Sequence, residues 1–97
     1  MNSQLSLYKK TTLYLANLIL NNLDKPNYQL PTEIELARTQ NISRITARKA
    51  YKEIEDLNII TRVKGKGTFI APGTTYADLD PILKNNREIS LKQVGTI

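Results

Sequence analysis

The sequence predicts an α+β domain of three helices followed by a two-stranded β-hairpin. Three observations carry that prediction. From Ser43 to Asn58, helical spacing puts Ala47, Ala50, Tyr51, Ile54 and Leu57 on one stripe. Arg44, Ile45, Arg48 and Lys52 fall opposite, with Lys49 at the margin. Thr32 and Glu35, just behind Pro31, have the spacing of a capping box that opens a helix. After Asn58 the period turns strand-like, in two runs on either side of Lys64-Gly65-Lys66-Gly67.

Composition narrows the class. Ninety-seven residues, 40% of them apolar, allow one modest core and a tail. No apolar run approaches the ~18 residues of a membrane span. Lys9 and Lys10 precede a segment broken by Thr11, Thr12 and Asn17, which is no signal-peptide pattern. Without cysteine there is no disulfide framework and no thiolate chemistry, which suits the cytosol. The net charge of +5 sits entirely in residues 1–73, because residues 74–97 balance three cations against three acids. Arg38 to Lys52 holds five cations and no acid, and Arg62 to Lys66 holds three more. Two such clusters on one domain suit a polyanion, and a solvated basic surface would carry the same charges.

Taken in order, residues 1–4 are expected to fray. A first helix is expected from Leu5 to about Leu23, with Tyr8, Leu15, Ile19 and Leu23 on its stripe and Ala16 and Leu18 widening it. Its Lys9 and Lys10 are solvated or touch phosphate. Asn21 to Gln29, with Pro26, reads as a loop. Pro31 disfavours helix at Leu30, so the second helix starts at its Thr32 cap, buries Leu36 and Ala37, and ends near Thr39 or Gln40. Asn41-Ile42 is a tight turn with Ile42 at the corner, and Ser43 caps the third helix. Asn58 suits the left-handed residue that ends it. Helix, short turn and a second capped helix form a helix-turn-helix. The hairpin of Ile59 to Val63 and Thr68 to Ala71 then adds a wing.

The third helix has three cations in its first two turns and no acid there. A merely buried helix does not need them, whereas one whose N-terminal end enters a DNA major groove does. Arg44 and Arg48, one turn apart, can each reach a guanine edge or a phosphate. Ile45 is either a thymine-methyl contact or a stray surface isoleucine. Thr46 contacts phosphate or a thymine methyl, or caps its own helix. Lys64 and Lys66 suit phosphate, and Gly65 and Gly67 serve the turn. Tyr51 and Phe69 are expected in the core.

An enzyme finds little support. Histidine and cysteine are absent, Glu33 and Glu35 do not face each other on a helix, and Asp78 with Asp80 is a weak metal signal. Gly65 to Thr68 lacks the upstream glycine of a phosphate-binding loop. The competing non-enzymatic reading is a winged-helix module that docks an acidic protein. Single-strand or RNA binding usually wants exposed aromatics, which are few here.

Leu30-Pro31-Thr32-Glu33-x-Glu35-Leu36-Ala37, Ile42-Ser43-Arg44-x-Thr46-x-Arg48-x-Ala50, Leu57-x-Ile59-Ile60 and Gly65-Lys66-Gly67-Thr68-Phe69-Ile70 together resemble the GntR family of bacterial transcription regulators. The resemblance spans about residues 5 to 71 in order and register. It implies an N-terminal winged helix-turn-helix that binds a palindromic operator as a dimer, and a C-terminal domain that senses a metabolite. It places Arg44, Thr46 and Arg48 at the operator, Ser43 at a phosphate, and Lys64, Gly65 and Lys66 in the wing. The whole candidate DNA-binding set is Thr32, Glu33, Ser43, Arg44, Ile45, Thr46, Arg48, Lys49, Lys64, Gly65, Lys66 and Gly67. Ile34 departs from the arginine frequent there, Ile45 from a polar residue, Ala47 from valine and Asn58 from glycine.

Residues 1–73 are thus expected to form the DNA-binding domain. Residues 74–97 are expected to be a linker, with one helical turn, leading into an effector domain beyond. The terminal Lys-Gln-Val-Gly-Thr-Ile resembles the first strand of a sugar-binding domain of the arabinose-repressor branch, as though the sequence were cut from a longer one. No cofactor or metal is expected in this chain.

Overall fold

Each helix starts where a side-chain oxygen can take up a free amide. The computed structural model describes residues 6–25 and 27–84. Helix α1 (Leu7–Asn21) opens on Ser6, whose Oγ accepts from Lys9 N at 3.2 Å. The expected span from Leu5 to Leu23 is shortened at both ends, and Leu5 lies outside the described residues. Helix α2 (Glu33–Gln40) has the full capping box, with Thr32 N donating to Glu35 Oε1 at 2.9 Å and Glu35 N to Thr32 Oγ1 at 3.0 Å. It stops at Asn41, which takes the left-handed conformation (φ 55°).

Helix α3 (Arg44–Glu55) opens on Ser43, whose Oγ accepts from Thr46 N at 3.0 Å. It is shorter than the 43–58 expected, because 56–58 unwinds into a turn. That turn ends on Asn58 at φ 58°, the left-handed residue the sequence anticipated.

Helix α1 packs chiefly on α3, and α3 also packs on α2. Their shared core holds Leu15, Ala16, Ile19, Leu36, Ala37, Ala47, Ala50, Tyr51 and Ile54. Each large side chain buried there contributes about 1.5–3 kcal/mol. Thr11 and Thr12, which seemed to interrupt the apolar pattern, are also buried. Their hydroxyls donate to Leu7 O at 2.8 Å and Tyr8 O at 2.9 Å, so neither is buried without a partner.

The sheet has three strands rather than the two expected. Between α1 and α2, β1 (Gln29–Leu30) pairs antiparallel with β3 (Gly67–Ile70), which pairs with β2 (Ile60–Val63), giving the order β1-β3-β2. The register sets Leu30, Thr68 and Arg62 on one face and Gln29, Phe69 and Thr61 on the other. Leu30 and Thr68 are buried against the helices. Phe69, expected in the core, instead lies half-buried on the outer face, in a groove of about 550 Å³ with Leu23, Tyr28 and Val63.

At the hairpin tip, Lys66 N donates to Val63 O at 2.9 Å, and Gly65 takes φ 80°. Gly67 sits at φ 133°, and a Cβ there would come 2.3 Å from Gln29 Nε2. That amide donates to Lys66 O at 3.0 Å and ties the wing to β1. Gly67→Ala is therefore expected to cost about 1–3 kcal/mol through backbone strain and loss of this bond, read as a lower melting temperature. A melting temperature unchanged by Gly67→Ala would remove the strain argument.

The chain from Thr74 onward also departs from a plain linker. Thr74 Oγ1 donates to Ala71 O at 2.7 Å, and a 3-10 turn follows at Tyr76–Leu79. Residues 80–84 continue as helix, and Leu79, Ile82 and Leu83 join the main core. The helical stretch runs from 76 to 84, longer than the single turn expected, and its buried residues carry the core past the boundary expected at residue 73. The strand expected at 91–97 lies outside the described residues.

Candidate nucleic-acid interface

The front of α3 is presented by the stripe on its back. Burying Ala47, Ala50, Tyr51 and Ile54 forces Arg44, Ile45 and Arg48 outward. Ile45 is 77% exposed, an unusual setting for isoleucine inside a cationic surface. Among the described residues Arg44 makes no ion pair, so its guanidinium is available to a partner. Ser43 and Thr46 are joined hydroxyl to hydroxyl at 2.9 Å, so both serve the helix start while Ser43 stays exposed.

Two of the expected cations are partly engaged elsewhere. Lys49 Nζ lies 4.5 Å from the Tyr8 ring centroid and leans towards α1. Lys9 lies over the same ring at 5.1 Å and pairs with Glu53 at 3.3 Å. Tyr8 and Glu53 together hold the Lys9 ammonium above its usual range, against some loss of solvation. Lys9 is thus an internal tie between α1 and α3. Arg48 stays exposed, and its Nε lies 3.5 Å from Glu33 Oε1.

At the start of α2, Thr32 is exposed and occupied with its capping box, and Glu33 is half-buried beside α3. In the wing, Lys64, Gly65 and Lys66 are exposed at the tip, while Gly67 is half-buried under Gln29. The structure therefore brings Glu33 to Arg48 and Ser43 to Thr46, and it collects Lys64 to Gly67 at one tip.

Sequence reasoning missed the part played by Arg62. Counted there as one more cation of the wing, it turns instead towards the helices. Its Nη2 lies 3.6 Å from Glu33 Oε2, its Nε donates to Glu55 Oε2, and its Nη1 lies 3.4 Å from Thr68 Oγ1. The register with Thr68 could have placed it on the inner face, but its acids lie on two other elements. Below it, the Tyr51 hydroxyl donates to Pro31 O, and burial raises the phenol well above its ordinary pKa.

Comparison with known proteins agrees with this geometry. The family described as bacterial regulatory proteins, gntR family, matches residues 7–70. The chain is 41% identical over 66 residues to the HTH-type transcriptional regulator YurK of Bacillus subtilis, covering 62% of this chain and 27% of that protein. It is 31% identical over 64 residues to the histidine utilization repressor of Klebsiella aerogenes, covering 66% of this chain and 27% of that protein. It thus spans about a quarter of the length of these relatives. Among solved structures it is similar to the N-terminal domain of AraR in complex with mutant ORR3. There the TM-score is 0.62 at 31% identity, over 70% of this chain and 97% of that one. With capped helices, basic front and wing in the family's order, the chain belongs to the GntR family of bacterial regulatory proteins.

Proposed function

We propose that this domain reads double-stranded operator DNA for a metabolite-responsive transcriptional repressor. The observation that carries the reading is the exposed Arg44-Ile45-Arg48 front of α3, held outward by a fully buried back stripe. The N-terminal end of α3 enters the major groove, where Arg44 bonds a guanine edge and Ile45 meets a thymine methyl. Arg48 reaches a base or a phosphate. Ser43, Thr46 and Thr32 at the α2 start line the adjoining backbone, Glu33 belongs to the interface through its pairing with Arg48, and Lys49 is at the margin. The wing tip, Lys64 to Gly67, meets the backbone or minor groove. Two copies bind an inverted repeat, and a small molecule acts through a C-terminal effector domain in the whole protein. Operator binding places the work in the cytoplasm, and no described helix is long and apolar enough to cross a membrane.

Selection from a randomised duplex pool at near-physiological salt tests this. An enriched inverted repeat, bound more tightly than its scrambled control, is the expected result. A pool that stays random would hand the basic face to an acidic protein partner instead. Lys66→Ala should weaken selected and scrambled duplexes alike and flatten the salt slope by about one. An unchanged slope would take the wing tip out of the interface.

A further inference from the structure

The charges behind Arg48 form a chain rather than a single pair. Glu33 reaches Arg48 through one carboxylate oxygen at 3.5 Å and Arg62 through the other at 3.6 Å. Arg62 is held in turn by Glu55, by Thr68 Oγ1 at 3.4 Å and by the Tyr51 ring, whose centroid lies 5.2 Å from the guanidinium carbon. The side chains are 68% exposed for Arg48, 45% for Arg62 and 28% for Glu33. One end of the chain is thus loose and the other anchored.

Two consequences follow from that order. If Arg48 swings away, Glu33 still has a cation and stands near the α2 N-terminus, so release leaves no unpaired half-buried carboxylate. The Arg48 contact is also longer than the ~2.7–2.9 Å of a strong charge-assisted bond, so a better acceptor can replace it. A carboxylate at this place repels phosphate as well, and recognition sharpens when a site works against the wrong partner.

We propose that Arg62 is a positioning residue for sequence discrimination: it fixes Glu33 as a replaceable partner that Arg48 leaves only for a matching base edge. The inference rests on the DNA-reading function proposed above. Arg62 itself touches no DNA in this scheme. It acts through Glu33 and Arg48 and links the wing strand to the reading helix.

The test uses the full chain with the selected duplex and a scrambled control, titrated across several salt concentrations. Arg62→Lys keeps the charge and loses the fork. It should bind scrambled DNA within about twofold of the unmodified protein, with the same salt slope, and weaken the selected duplex about tenfold. Glu33→Gln should reach a similar loss of preference by the opposite route, tightening scrambled binding and steepening its slope as arginines are released. In an Arg48→Ala background, neither change should alter the preference further.

Equal losses on both duplexes with a flatter slope would make Arg62 a phosphate contact and overturn the proposal. So would an unchanged preference in both variants, or a loss that persists without Arg48. If Arg62→Lys melts below the assay temperature, Glu33→Gln and its Arg48→Ala combination decide alone. An unmodified protein that shows no preference sinks the DNA-reading function first, before any variant is needed.

Discussion

Arg44→Ala is expected to lower affinity for the selected duplex by about 1–3 kcal/mol, roughly fivefold to 150-fold, and to change scrambled-duplex binding little. Arg44 is exposed in the first turn of α3, and among the described residues no acid is paired with it. Its removal should therefore leave the fold intact, and the loss should be confined to what the guanidinium bonds. Titration of both duplexes at one salt concentration decides the matter. Equal losses on the two would make Arg44 a phosphate contact that sets register without reading sequence.

A larger effect, on stability, is expected behind that surface. Ile54 has no exposed area and is the last buried residue of the α3 stripe. Ile54→Ala removes buried methyl groups and leaves a cavity between helices that cannot fully collapse, costing about 2–5 kcal/mol. In a domain of this size, that lowers the melting temperature by at least about 8 °C. Ile45→Ala, on the same helix with 77% exposure, should leave thermal melting nearly unchanged. Circular dichroism melts of the two variants side by side measure the contrast. A small shift at Ile54 would mean that α3 is not what holds the domain together.

What the sequence discloses and what it hides divide along the range of the interactions. The caps at Thr32 and Ser43, the left-handed residue at Asn58 and the apolar stripe of α3 are written in neighbouring residues, and all are where the pattern places them. Thr11 and Thr12 break the apolar run in the sequence and are nonetheless buried, because each hydroxyl donates to its i−4 carbonyl. Gln29-Leu30 is too short to show a period of two, so the third strand depends on a partner at Thr68 and Phe69. Arg62 is the clearest case. Its charge is plain in the sequence, but its acids lie at Glu33 and Glu55, brought near by the packing of α2 and α3 against the sheet. The expected interface residues rest on residue type, spacing and the resemblance to the family. Those rules cannot say that Lys49 leans on a tyrosine of another helix.

The helical turn after Thr74 changes what should count as the smallest working unit. A fragment trimmed at Gly73, where proline and glycine mark a tidy boundary, would strip Leu79, Ile82 and Leu83 from the interior. Such a fragment would keep every candidate residue of the basic face and lose three side chains of the core. Weak binding by a piece cut there would reflect a softened scaffold, not a poor reader. Leu79, Ile82 and Leu83 are therefore part of the packed interior, and the stretch up to residue 84 is seated in the domain rather than hung from it.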